Sequence, residues 1–561
     1  MNVRHAFGLI RPVIVAIILA GLLSCAPREG SRVEPSRLAS KPETFHLGSH
    51  TFPISTTNPE AQSAFDRGLT WAYGFSHQTA EAEFRRAAAL DPAAPMPWWG
   101  VALVNGPHIN YPLVPENKAK VAWEALLKAK ELRSNGGPLE RDLIDALSAR
   151  YAEKQPEDRS LLDQAYAEAM RKVWERYPDN ADVATLYAEA LMDLHPWDLW
   201  EKDGAAKSWT PQIVSTLERA MALNSRHPGA HHLYIHAVEA SNSPERGVNS
   251  ADTLRSLVPA SGHLVHMPAH IYLRVGRWQD AAQSNIDAVR ADQEFSKSNP
   301  NPGFYAIYML HNHHFLSFVR MMQGQKESAL LAARQMIEGV PQEFIRDYGP
   351  IADGYMAIVI EVLMRFGRWE ELLAEPEPQS SLPLARALRL FGRTAAFTAL
   401  DRKKESLAER AKFLAAVKRV PADATFGNNK AHTLLEIARL VIDGEMAARD
   451  NRLDVAIKFL EEARNKEDTL MYDEPPDWIL PVRHTLGITY LRAEKPAEAE
   501  LAYRQDLAKF PRNGWSLYGL SRALSLQGRE AEALAALSEF RREWSGADTR
   551  IASSCLCQPG V

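Results

Sequence analysis

Cysteine is nearly absent from this chain: three residues in 561, at positions 25, 555 and 557. That scarcity excludes a cysteine-rich zinc or iron–sulfur site in the body of the protein. Charge of one sign is also lacking. A net charge of −5 and a pI of about 6.4 leave no basic footprint, so nucleic acid is not an expected partner. The fingerprints of several common chemistries are missing too. There is no phosphate-binding glycine loop, no dinucleotide fingerprint, no Gly-x-Ser-x-Gly elbow and no His-Glu-x-x-His pair. Alternating strand patterns do not appear, and helical periodicity dominates to about residue 545.

Long apolar runs are equally scarce. The one near the start covers residues 13–23, follows Arg4 and Arg11, and is too short to span a bilayer. It ends in Leu22, Leu23, Ser24 and Cys25, which resemble a bacterial lipobox. The resemblance implies cleavage after residue 24, lipidation of Cys25 and an extracytoplasmic, membrane-anchored product. Ala26, where aspartate would retain the protein at an inner membrane, points to the periplasmic face of an outer membrane in a two-membrane cell. Residues 25–58 then read as a polar tether. Residues 546–561 read as a flexible tail, in which Cys555 and Cys557 can oxidise or bind a soft metal.

Between these ends the chain repeats. From Gly68, the residues Ala80, Phe84, Ala87 and Pro92 set small, aromatic, small and proline positions. Small residues let antiparallel helices approach, the aromatic fills the gap, and proline stops the second helix. Gly487, Ala499, Tyr503 and Pro511 repeat the pattern late in the chain, and Gly276, Gly324 and Gly367 mark further turns. These positions resemble the tetratricopeptide repeat (TPR). The resemblance implies an all-α, right-handed superhelix of roughly ten antiparallel helix pairs over residues 59–545. The block from Gly262 to Tyr272 looks like the signature of a histidine-rich bacterial TPR subfamily, which implies a fold but no reaction.

Ten of the eighteen histidines fall between residues 227 and 314. His232 and His236 are four apart, as are His266 and His270, and the two pairs are 34 residues apart, one repeat period. Imidazoles at i and i+4 share a helix face and form a two-point ligand set. Registered on the repeat, His263, His266 and His270 fall on groove-facing positions of one first helix. His232, His236 and Glu239 fall on those of the preceding unit, and His311 and His314 on those of the following one. Packed helices ~8–10 Å apart let facing imidazoles share an ion. His232, His236, His266 and His270 would enclose one ion, or the wider set with His263, His311 and His314 would hold two. Imidazole-only ligation favours copper or zinc over iron, and Glu239 would serve as a general base beside a metal-bound water.

Other residues carry weaker signals. His108, His195 and His484 are secondary groove candidates; His227, His231 and His313 read as ordinary helix histidines; Tyr234 and Tyr272 read as packing. Asp473, Glu474 and Asp477 read as solvated loop acids. Two functions follow. One is a metal-binding protein, a metal-dependent oxidoreductase or hydrolase if it is an enzyme, taking a small molecule or peptide in its groove. The other is a metal-free TPR scaffold for protein partners in the cell envelope.

Overall fold

The computed structural model describes residues 45–560. The leader and Cys25 lie outside them. Helix follows helix from Pro59–Tyr73 to Glu530–Glu543, and the described strands are one short pair, Thr425–Phe426 with Asn429–Lys430. The fold is an all-α solenoid of stacked antiparallel helix pairs. Among the described residues no helix is long and apolar enough to cross a membrane.

The repeat positions show why the pairs stack. A Cβ on Gly68 would lie 2.7 Å from the Phe84 ring, and one on Gly100 would lie 2.6 Å from the same ring. Phe84 is therefore gripped between the first helices of two successive units. Tyr503 is gripped in the same way, with Gly487 and Gly519 offering Cβ positions 2.3 and 2.2 Å from its ring. In the turn between Pro268–Arg274 and Trp278–Ser298, Gly276 takes φ +74° and a Cβ there would lie 2.8 Å from Pro511 O, so a side chain would be strained.

The solenoid curls until its late units meet its middle ones. Trp278 Nε1 donates to Pro511 O at 2.8 Å, and Trp515 Nε1 donates to Met321 O at 2.9 Å. Arg274 lies over the Tyr472 ring, 5.4 Å from its centroid. This closure turns an open groove into a walled cavity.

Both expected loose ends are packed. Residues 45–58 lie on the first helix rather than tethering it: Leu47, Phe52 and Ile54 are buried, and Phe52 N donates to Asp66 Oδ1 at 2.9 Å. A few apolar side chains anchor a segment whose Pro and Ser content suggested a linker. The C-terminal tail is held as well. Ser554 Oγ donates to His484 O at 2.7 Å, Gln558 Nε2 donates to Thr489 Oγ1 at 2.9 Å, and Cys555 and Cys557 are joined by a disulfide.

Candidate metal centre

Three helical stretches carry the histidines: Pro228–Val238, the bent pair Gly262–His266 and Pro268–Arg274, and Ala306–Met322. Pro268 has no N–H to continue the helix, so the ladder breaks between His266 and His270. The break still leaves their Nε2 atoms 2.8 Å apart. On the neighbouring helices, His232 Nε2 and His263 Nε2 face each other at 3.1 Å.

The ligand-capable nitrogens fall into two triads: His232, His236 and His263, and His266, His270 and His311. Within each triad the nitrogens lie within 4.8 Å of one another. These triads match neither expected division, the two in-phase pairs around one ion or a second ion on His263, His311 and His314; each triad draws on two helical stretches.

The outward-facing nitrogens decide the tautomers. His232 Nδ1 lies 2.6 Å from Tyr73 O, which can only accept. His266 Nδ1 lies 2.7 Å from Asn285 Oδ1, whose amide nitrogen is committed to Ala281 O. His236 Nδ1 and His270 Nδ1 meet the two oxygens of Glu239 at 2.8 and 2.5 Å. Each of these four imidazoles carries a hydrogen on Nδ1 and turns Nε2 inward. Such outer-shell acceptors fix ring orientation and raise ligand basicity. Two inward lone pairs 2.8 Å apart repel unless a proton or a cation lies between them. Nitrogens ~2.0–2.1 Å from a shared transition metal fit both the 2.8 and the 3.1 Å separations.

Electrostatics keep every imidazole of the two triads but His270 in its neutral form. Burial, reinforced by neighbouring imidazoles, pushes His232, His263, His266 and His311 well below the usual histidine range. Burial opposes charge on His270 too, but Glu239 outweighs it and holds His270 above that range. Burial would raise Glu239, yet His270 and His236 hold it at about 2. Glu239 is fully buried with both oxygens engaged. It orients two imidazoles from opposite triads and has no oxygen free to act as the expected general base.

His314 corrects the register. Its ring stands against Tyr355 and Phe426, 5.0 and 6.1 Å between centroids, and neither nitrogen has a hydrogen-bond partner. Three residues after His311 on the same helix, it is rotated onto an aromatic wall and joins neither triad.

Other histidines have other work. His484 is buried between Asp506, 2.8 Å away, and Arg365, 2.6 Å away. His195 stacks on Trp209 at 3.8 Å. His231 is hydrogen-bonded to Ser250 Oγ and Ser225 O, and His313 remains outside the triads. His50, Asp182 and His227 also converge, but His227 Nδ1 accepts from Ala230 N at 3.1 Å. Its hydrogen is therefore on Nε2, directed at Asp182 Oδ1, 3.2 Å away. That group is a hydrogen-bonded clasp on the N-terminal segment, not a ligand set. His108 does approach the cluster, stacked on Phe75 at 4.6 Å. Phe75, at φ +55°, wedges its ring within 4.6 Å of His232 and 5.6 Å of His263. Tyr234 and Tyr272 pack, with hydroxyls on Glu218 and Asp252.

The loop acids are the largest surprise. Glu474 and Asp477 are buried, and Asp473 accepts from Glu474 N and Asn428 N. Asp473 and Glu474 line the cavity of about 270 Å³ onto which His236, His263, His270 and His311 also open. Closure of the solenoid brings this loop over the histidines: Tyr472 OH donates to Glu474 Oε1 at 2.7 Å and lies 3.4 Å from Glu239 Oε2.

No protein-family model matches the sequence, and no curated protein matches it. Among solved structures, the human IFIT1 dimer with m7Gppp-AAAA is similar at 13% identity and a TM-score of 0.33, over 87% of this chain and 90% of that one. Yeast Tom70 is similar at 10% identity and a TM-score of 0.29, over 85% of this chain and 90% of that one.

Proposed function

We propose that this chain is a metalloprotein whose solenoid holds two transition-metal ions, one per histidine triad, and that it acts on a small molecule in the adjoining cavity. The observation that carries the reading is the set of four imidazoles with Nδ1 hydrogens tied outward, whose inward nitrogens gather with those of His263 and His311 into two close groups. His232, His236 and His263 would hold one ion; His266, His270 and His311 would hold the other. All-imidazole sets suit copper and zinc. The nearest carboxylate, Glu239, stands behind the ligands rather than among them, which favours copper and redox chemistry over a carboxylate-rich hydrolytic site. When bound, the metal would supply electron transfer or Lewis acidity.

A metal-free scaffold for protein partners fits less well. It needs an open groove with accessible side chains, whereas these histidines are largely buried around a cavity of about 270 Å³. That volume suits a small molecule rather than a folded partner. The same proposal places the protein outside the cytoplasm, anchored through lipid on Cys25. The Cys555–Cys557 disulfide supports an oxidising compartment.

The test is elemental analysis of the purified chain after incubation with copper or zinc salts and exhaustive dialysis. The reading expects two equivalents of metal in the wild type. His232→Ala and His266→Ala should each lose metal from one triad. A wild-type chain that stays metal-free overturns it.

A further inference from the structure

The cavity has two chemically distinct linings. One is the group of imidazoles; the other is the acidic loop that closure of the solenoid lays across them. Glu474 is 2% exposed. Its Oε1 accepts from Tyr472 OH, but its Oε2 is buried without any hydrogen-bond partner and borders the cavity. Asn110 Oδ1, on the same cavity, is likewise a buried acceptor without a partner. The nearby cationic groups are engaged elsewhere: the Arg274 guanidinium donates to the backbone carbonyls of Glu239 and Ser241, and His270 Nδ1 donates to Glu239. Burial pushes the Glu474 carboxyl up to about 8, as expected of an acid with too little countercharge. The remaining walls carry four aromatic side chains, Trp197, Phe304, Tyr308 and Tyr355.

Unclaimed buried acceptors, an acidic surround and π faces together select a ligand with a cationic, hydrogen-donating head and an apolar body. We propose that the cavity binds a primary amine with an apolar or aromatic body, its ammonium on the Glu474 carboxylate. The imidazoles of His236, His263, His270 and His311 open onto the same cavity. Any metal beside the bound amine rests on the proposed function; the ammonium subsite does not.

Calorimetry with the purified chain, metal-free and metal-loaded in parallel, tests the subsite. The probes are 2-phenylethylamine, the neutral 2-phenylethanol and the anionic 3-phenylpropionate, which share size and ring. The amine is expected to bind at least tenfold tighter than the alcohol, and the carboxylate weakest. Glu474→Gln should abolish most of that tenfold preference while leaving alcohol binding in place. Equal affinity for amine and alcohol in the wild type overturns the proposal without recourse to any variant. So does an amine preference that survives Glu474→Gln. The metal-free arm separates the two ideas: an amine preference there, in a chain that takes up no metal, sinks the metal reading and leaves the subsite standing.

Discussion

His236 and His270 belong to different triads, yet they share one carboxylate. Glu239 takes the Nδ1 hydrogen of His236 on Oε1 at 2.8 Å and that of His270 on Oε2 at 2.5 Å. Replacing it with Gln leaves one oxygen acceptor and turns an amide N–H toward the other imidazole, forcing that ring to flip or change tautomer. Metal affinity in Glu239→Gln should fall about 10–100-fold, as for other outer-shell losses. Competition with a chromophoric chelator measures it; unchanged affinity for both ions contradicts the role assigned to Glu239.

Asn285 should show a smaller form of the same effect, confined to one triad. Its Oδ1 holds only His266 Nδ1, at 2.7 Å. Asn285→Ala is expected to weaken one of the two ions by roughly tenfold and leave the other in place. A stepwise metal titration resolves the two. Equal weakening of both steps contradicts the division into triads.

His314 gives a prediction in the opposite direction. Its ring is buried among aromatic groups with both nitrogens unpartnered, and burial lowers it to about 3. A depressed histidine favours the folded state above the unfolded value of ~6.5, and the advantage is lost as pH falls toward the folded value. His314→Leu removes the titrating group and two unsatisfied atoms at similar volume. The metal-free variant should be as stable as wild type, or more so by ~1–3 kcal/mol, at pH 7. Its melting temperature should also fall less between pH 6.5 and 4. Metal content should not change. Loss of an ion in this variant returns His314 to the ligand set.

The repeat packing is testable away from the site. Gly100→Ala drives a methyl group to within 2.6 Å of the Phe84 ring and should cost about 1–3 kcal/mol. Gly339→Ala, with nothing within 4 Å of the new Cβ, should be neutral or stabilising by about 0.5–1 kcal/mol. Thermal unfolding of the two variants side by side measures the difference, and similar melting points contradict the glycine grip.

Lipid attachment is a separate matter. Mass spectrometry of the mature N-terminus should show an acylated Cys25, and Cys25→Ser should release the chain from membranes. An unmodified cysteine in a membrane-free fraction contradicts the anchor.

The sequence carried much of this site because one signal survived folding almost intact. Histidines four apart, repeated at the 34-residue period, are expected on equivalent faces of successive units, and the structure gathers all four rings into one buried cluster. The division into triads was not legible. It depends on how far the helices rotate against one another and on the break at Pro268, and neither leaves a mark in residue spacing. His311 and His314 show the limit: both suit a helix stripe, but three residues of rotation send one into the cluster and the other into an aromatic wall. Asn285 and Phe75 stand outside the histidine pattern, so nothing in it announced them. The acids at 473–477 were misread because their burial comes from closure of the solenoid, a contact with Glu239 across 233 residues that no local pattern records.

The most direct measurement is an anomalous difference map from crystals of the copper-loaded protein, collected on both sides of the copper edge. Two peaks are expected inside the solenoid, one bounded by the Nε2 atoms of His232, His236 and His263 and the other by those of His266, His270 and His311. A map with no peak among these six imidazoles, or with copper only at surface histidines, contradicts the account.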